Sequence, residues 1–224
     1  MNAQPLAFDV DAAHRVSALL LAPADARAAL VLAHGAGAGM THPFLAALAQ
    51  ALAARGIATL RYQFPFAEQG AKRPDPPALA QATVRAAVAE AARRLPALPL
   101  VAGGKSFGAR MTSQAQAAAP LPCVRGLVFV GFPLHPAGRP ASERADHLDR
   151  VAPPMLFLQG TRDALADAAL IRAVVERLGA RAALEWFADA DHAFHVPARS
   201  GRSDTQVREA LADALARWAE GIDR

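Results

Sequence analysis

The segment Gly104-Lys105-Ser106-Phe107-Gly108 spells G-x-S-x-G, a spacing suited to nucleophilic chemistry at a serine. A serine hydroxyl is a weak nucleophile until a base takes its proton, and it must stand clear of the backbone to reach an acyl carbon. A turn that passes directly from strand to helix meets the second need. Its central residue is held in a strained conformation, with the side chain projecting above the sheet. Strand and helix nearly touch at such a turn, so the residues two before and two after the serine must be small. Gly104 and Gly108 are. The apolar run 98–102 predicts the strand and the Ala-rich stretch 107–118 predicts the helix. The helix N-terminus adds free N–H groups and positive dipole potential for a developing anion. Two other readings compete. G-x-S-x-G arises by chance in glycine-containing chains, and only its placement between strand and helix raises it above coincidence. Gly104-Lys105-Ser106 also matches the end of a P-loop, but that motif requires a glycine where Pro99 stands. No phosphate-cradling loop is left, which excludes ATP or GTP binding.

A serine nucleophile needs a base, and the base needs a carboxylate to hold its tautomer and stabilise the imidazolium. On strand–Ser–helix scaffolds the chain order is nucleophile, acid, base. After the apolar run 155–159 comes Gly160-Thr161-Arg162-Asp163, and after 183–187 comes Ala188-Asp189-Ala190-Asp191-His192-Ala193-Phe194. These loops offer Asp163 as acid and His192 as base. Taken alone, Asp163 also reads as the cap of the following helix, and His192 as an ordinary loop histidine with His195 as a competitor. Asp189 and Asp191 read as solvated loop charges. The joint order of three correct residue types after three strands favours the triad. A fourth loop, His34-Gly35-Ala36-Gly37-Ala38-Gly39, follows the run 29–33. It stands where one oxyanion donor belongs, the other being the residue after the nucleophile. That assigns the N–H groups of Ala36 and Phe107. The same loop partly matches a dinucleotide fingerprint, but Met40 stands where the third glycine would fall, and no acid lies near position 60. NAD is therefore not expected, nor is any other cofactor or metal.

The elements needed to position these residues are legible as apolar runs of strand length at 16–21, 29–33, 57–61, 98–102, 126–130, 155–159 and 183–187. Unbroken runs of this kind suit a parallel sheet covered on both faces. Between most of them lie helical stretches at 43–54, 77–95, 107–118, 167–178 and 205–221, with Thr41 or His42 as the cap before Pro43 and Gly56 and Gly179 just past helix ends. Alternation with right-handed crossovers gives an open, doubly wound, mostly parallel sheet of about seven strands, its crevice at the strand C-termini. With the triad order, this predicts an α/β-hydrolase fold in one domain over residues 1–224. The connection 131–154, holding a short helix near 142–150, is too short for a cap domain, so an open site is expected. Phe64, Phe66, Phe132 and Phe194 are expected to line it. His135, His147 and Arg139 read as rim or as plain loop residues, and Lys105 and Arg110 as possible contacts for an anionic substrate or as packing.

Composition narrows the partners. The chain has 224 residues, 53% of them hydrophobic, with a net charge of +4. Its pI is about 10.2. The positive charges are nearly all Arg, scattered among Asp and Glu, so nucleic acid is not expected. One cysteine, Cys123, allows no internal disulfide. The N-terminal stretch lacks a basic start and Asp9 and Asp11 interrupt it, and no apolar run approaches membrane-spanning length. A cytoplasmic protein, not associated with a membrane, is expected.

The motifs HGAGAG, LRYQFPF, GGKSFGARMTS, GFPLHP, LQGTRD and DHAF, in that order between residues 29 and about 196, resemble those of small bacterial α/β-hydrolases grouped with testis-expressed protein thirty. A subunit of the NSL histone-acetyltransferase complex has a related domain. The resemblance implies the same fold and carries nucleophile, acid and base onto Ser106, Asp163 and His192. Ala109 departs from the pattern where a second glycine is common, a matter of packing more than chemistry. A broader similarity to dienelactone hydrolases is implied by size and strand plan, but those use Cys where this chain has Ser106. The function expected is hydrolysis of a carboxylic ester or thioester of a small acyl substrate through acyl-Ser106. The alternatives are a non-catalytic interaction module on the same fold, and an acyltransferase or peptidase using the same triad.

Overall fold

Apolar strands without polar alternation can be satisfied only by covering both sheet faces, and this is how the chain folds. The computed structural model describes residues 1–222. Among them the sheet has eight strands, β1 (Gln4–Asp9), β2 (Arg15–Leu21), β3 (Ala28–Ala33), β4 (Ile57–Tyr62), β5 (Leu100–Lys105), β6 (Val124–Val130), β7 (Met155–Gly160) and β8 (Ala182–Phe187). Their spatial order is β1-β2-β4-β3-β5-β6-β7-β8. β2 runs antiparallel to both neighbours, and β4 through β8 and β3 are parallel. The helices are α1 (Pro43–Ala53), α2 (Pro65–Glu68), α3 (Pro77–Arg94), α4 (Phe107–Ala118), α5 (Ala168–Leu178) and α6 (Asp204–Gly221).

Side-chain alternation divides the core into two layers. Ala29, Val31 and Ala33 of β3 and Phe129 and Phe157 of β6 and β7 join the layer under α3, α4 and α5. Leu30 and Leu32, with Val128, Val130 and Leu158, join the layer under α1 and α6. Local signals set the helix ends. His42, not Thr41, caps α1: its Nδ1 accepts the Phe44 N–H at 3.3 Å, with Pro43 at the first helical position. Asp167 caps α5 through two N–H groups, and Ser203 and Gln206 form a capping box on α6.

Two expectations need correction. The sheet has one strand more than the seven expected, because β1 is an edge strand with Pro5 inside it and only Phe8 buried. An edge tolerates a proline, and a half-exposed strand lacks the apolar run that marks the others. The strand before the serine is Leu100–Lys105, three residues beyond the expected 98–102. Gly103 and Gly104 are not loop residues. They pair with Leu32 and Ala33 on one side and Val128 and Phe129 on the other, and a Cβ at Gly103 would run into the Val128 carbonyl.

Candidate active site

Between the end of β5 and the start of α4 the chain has one residue to turn on, Ser106. Its φ of 53° and ψ of −109° lie where a non-glycine residue is strained. Packing enforces the conformation. A Cβ at Gly104 would lie 2.7 Å from the Ala33 carbonyl oxygen, and one at Gly108 2.6 Å from the Ala33 Cβ. Strand β3 thus presses against both sides of the turn, and only glycines let it do so. Ser106 precedes α4 but its hydroxyl makes no capping bond. The hydroxyl instead donates to His192 Nε2 at 2.8 Å.

His192 Nδ1–H in turn donates to Asp163 Oδ2 at 2.7 Å. Asp163 follows β7 and its side chain is fully shielded from solvent. It also accepts from Gln159 Nε2 at 2.6 Å and, at Oδ1, from the Leu165 N–H at 2.8 Å. A carboxylate buried with three donors cannot swing away without leaving them unpaired. Gln159 is locked from its other end, where Oε1 accepts the Phe132 N–H at 3.0 Å. The sequence offers one signal for Gln159, a lone amide at the end of an otherwise apolar strand. The loop carrying His192 is pinned from several sides. Asp191 accepts the N–H groups of Ala193 and His195, Thr161 accepts that of Asp189, and Lys105 Nζ donates to the His192 carbonyl at 2.6 Å. Asp191 is therefore a turn-former and not a merely solvated charge. His195 bonds Asp204 at 2.9 Å, away from Ser106.

The loop after β3 lies over the serine, a Cβ at Gly35 falling 3.8 Å from Ser106 Cβ. Buried His34 shapes it. Its Nδ1–H donates to the Gly35 carbonyl at 2.8 Å and its Nε2 accepts the Phe64 N–H at 3.0 Å. Burial lowers the affinity of this imidazole for a second proton, which fits one nitrogen donating and the other accepting. The Ala38 N–H also reaches the Gly35 carbonyl, at 3.2 Å. The Gly35 carbonyl and the Ala36 N–H belong to one trans peptide and point in opposite directions, so fixing the first aims the second. Among the described residues the Ala36 and Phe107 N–H groups donate to no other protein group. For Phe107 this follows from its place at the head of α4.

A cleft of about 300 Å³ opens above Ser106, walled by the 35–38 loop, Phe44, Leu45, Leu165 and Ala193, with His42 at its edge. The four phenylalanines expected to line it do not. Phe64 and Phe132 are fully buried, and Phe194 nearly so. Phe64 packs edge-on against Tyr62, His34 and Phe107, and Phe132 lies tilted against Phe129 and Phe157. Phe66 reaches a separate cleft beyond the 36–39 loop, beside Gln63 and Lys72. They support the layer beneath the site. Phe44, which stacks on Phe194 at 5.9 Å, is the aromatic that reaches the cleft. The expected rim residues also lie elsewhere. His135 accepts the Asp167 N–H, His147 bonds Ser113, Arg139 is exposed, and Arg110 sits half-buried near Arg144. Between β6 and β7, among the described residues, the chain forms one 3₁₀ helix, Glu143–Arg150, packed on α4 and not over the cleft. No described group of His, Cys, Asp and Glu is arranged to hold a metal ion. Among the described residues no helix is long and apolar enough to cross a membrane.

A mostly parallel sheet with helices on both faces and a serine on the sharp turn after its central strand defines an α/β-hydrolase. The chain belongs to the alpha/beta hydrolase domain family, which it matches over residues 26–220. Solved structures share its plan. A serine hydrolase without lid from Xanthomonas campestris superposes with a TM-score of 0.74 at 24% identity, covering 97% of this chain and 95% of that one. A dienelactone hydrolase from Anabaena variabilis gives 0.76 at 20% identity over 97% of each chain. An α-β serine hydrolase homologue from Coxiella burnetii gives 0.77 at 20% identity, over 96% of this chain and 98% of that one. At such identities the shared property is the fold.

Proposed function

We propose that this protein hydrolyses a carboxylic ester or thioester through an acyl-Ser106 intermediate. The observation that carries the reading is the unbroken chain from the Ser106 hydroxyl through His192 to Asp163, at 2.8 and 2.7 Å. The Ser106 oxygen attacks the acyl carbon as its proton passes to His192 Nε2, and Asp163 stabilises the imidazolium so formed. The Ala36 and Phe107 N–H groups bind the negative oxygen of the tetrahedral intermediate. Collapse of the intermediate expels the alcohol or thiol, which takes the proton from His192. Water then attacks the acyl-enzyme with His192 again as base, and Ser106 is regenerated.

An apolar cleft beside the serine suits an uncharged acyl group, and the substrate is taken to be a small molecule. Nucleic acid is not proposed as a partner, because many arginines are engaged in ion pairs such as Arg55 with Glu209 and Asp213, and Arg27 with Glu220. Within the family, the motif order supports a resemblance to the small bacterial hydrolases grouped with testis-expressed protein thirty, and a cytoplasmic location is proposed with that reading. The test is turnover of p-nitrophenyl acetate and butyrate together with labelling by a fluorophosphonate. Ser106→Ala should abolish labelling and lower kcat by about 10⁴. Labelling that persists in this variant refutes the assignment.

A further inference from the structure

Lys105 is the last residue of β5 and the immediate neighbour of Ser106. Its stem borders the cleft, while its ammonium turns beneath the base-bearing loop and donates to the His192 carbonyl at 2.6 Å. The ammonium lies 5.6 Å from the centre of the Phe194 ring. Gly131 makes room for it: a Cβ there would stand 3.1 Å from Nζ and 3.6 Å from His192 Cε1. Among the described residues no carboxylate forms an ion pair with it. The charged and titratable groups that face it are Asp163, Asp191 and His192. A buried ammonium without a carboxylate partner is a costly way to fill space, and a methionine would fill the same space without that cost.

We propose that Lys105 is a positioning residue whose ammonium clamps the His192 carbonyl to the end of β5, so that one strand both presents the Ser106 hydroxyl and holds the imidazole against it. The role rests on the acyl-serine reading above. The loop it clamps has reason to drift, since Asp189 and Phe194 both carry positive φ, at 58° and 63°, and such backbone persists only when its surroundings enforce it. Burial pushes the Lys105 ammonium down to about 8, against the pull of Asp163 and Asp191. The clamp is therefore charged at neutral pH and becomes a neutral amine in mildly alkaline solution.

Two measurements test the proposal. In Lys105→Met, the rate of fluorophosphonate labelling at Ser106 should fall about tenfold or more, while the variant melts no lower than the wild type. In the wild-type protein, the His192 Cε1–H proton resonance should follow a titration near pH 8. That readout needs no variant and decides the matter even if Lys105→Met does not fold. Labelling at the wild-type rate in Lys105→Met, or a His192 resonance flat through this pH range, overturns the proposal. If the probe labels neither protein, the hydrolase reading fails on its own account and the resonance still tests the clamp.

Discussion

Among individual residues, the supports of the site divide into those that face the reacting atoms and those that hold such residues from behind. Gln159 belongs to the second kind. Replacing it by Met keeps the volume but leaves the Phe132 N–H unpaired and removes one donor from Asp163, at a cost of about 1–3 kcal/mol. Gln159→Met should lower kcat for p-nitrophenyl butyrate by about tenfold with KM little changed, since the substrate does not touch it. His34→Leu should behave likewise, because the Gly35 carbonyl would lose the shorter of the two bonds that orient its peptide and so aim the Ala36 N–H. Steady-state kinetics with a thermal melt on each variant checks both. Neither role is readable from the sequence alone, since each also depends on a distant partner, the Phe132 N–H for Gln159 and the Phe64 N–H for His34, that only the folded sheet brings near. The hydrogen-bonded grouping of Ser106, Asp163 and His192 was legible as a candidate triad because chain order and strand position limit where a nucleophile, acid and base would sit.

Lys105 also carries a signature in stability. Its affinity for a proton is lowered on folding from 10.5 to about 8, so between those values the unfolded chain binds the proton and the folded one does not. Stability from this group therefore rises as pH increases from about 8 to 10.5. The full span corresponds to on the order of 3 kcal/mol. Lys105→Met should remove this alkaline increment, as measured by urea unfolding at a series of pH values.

At the level of elements, the turn at Ser106 is a packing problem that the sequence states openly and the strands solve. Ala33 of β3 is wedged between Gly104 and Gly108, so Gly108→Ala sets two methyl groups against each other. The variant should lose about 1–3 kcal/mol of stability, as overpacking does. Ala33→Gly in the same chain should recover only part of the loss, because the Ala33 carbonyl carbon and oxygen remain 2.8 Å from the new Cβ. Chemical denaturation of the two single variants and the double variant checks this. Strand ends and edges were the least legible elements. β5 reads short because its two glycines look like loop, yet they are in the strand for want of room. β1 reads as nothing because its burial rests on Phe8 alone. The aromatic residues misled for a related reason. Phe64 and Phe132 follow strands that end at the crevice, but a residue just past a strand can still turn inward, and in this fold both do.

At the scale of the whole molecule, among the described residues no domain covers the site: the 131–154 connection packs its 3₁₀ helix against α4 and leaves the Ser106 cleft uncovered. Where a mobile lid covers an active site, its opening gates turnover and can make it depend on whatever state of the substrate opens the lid. Among the described residues no helix lies over the cleft to be lifted. Turnover of a p-nitrophenyl ester series should saturate smoothly with dissolved ester and show no jump as emulsion droplets form, so that discrimination between acyl chains must come from the walls of the cleft and not from the state of the lipid.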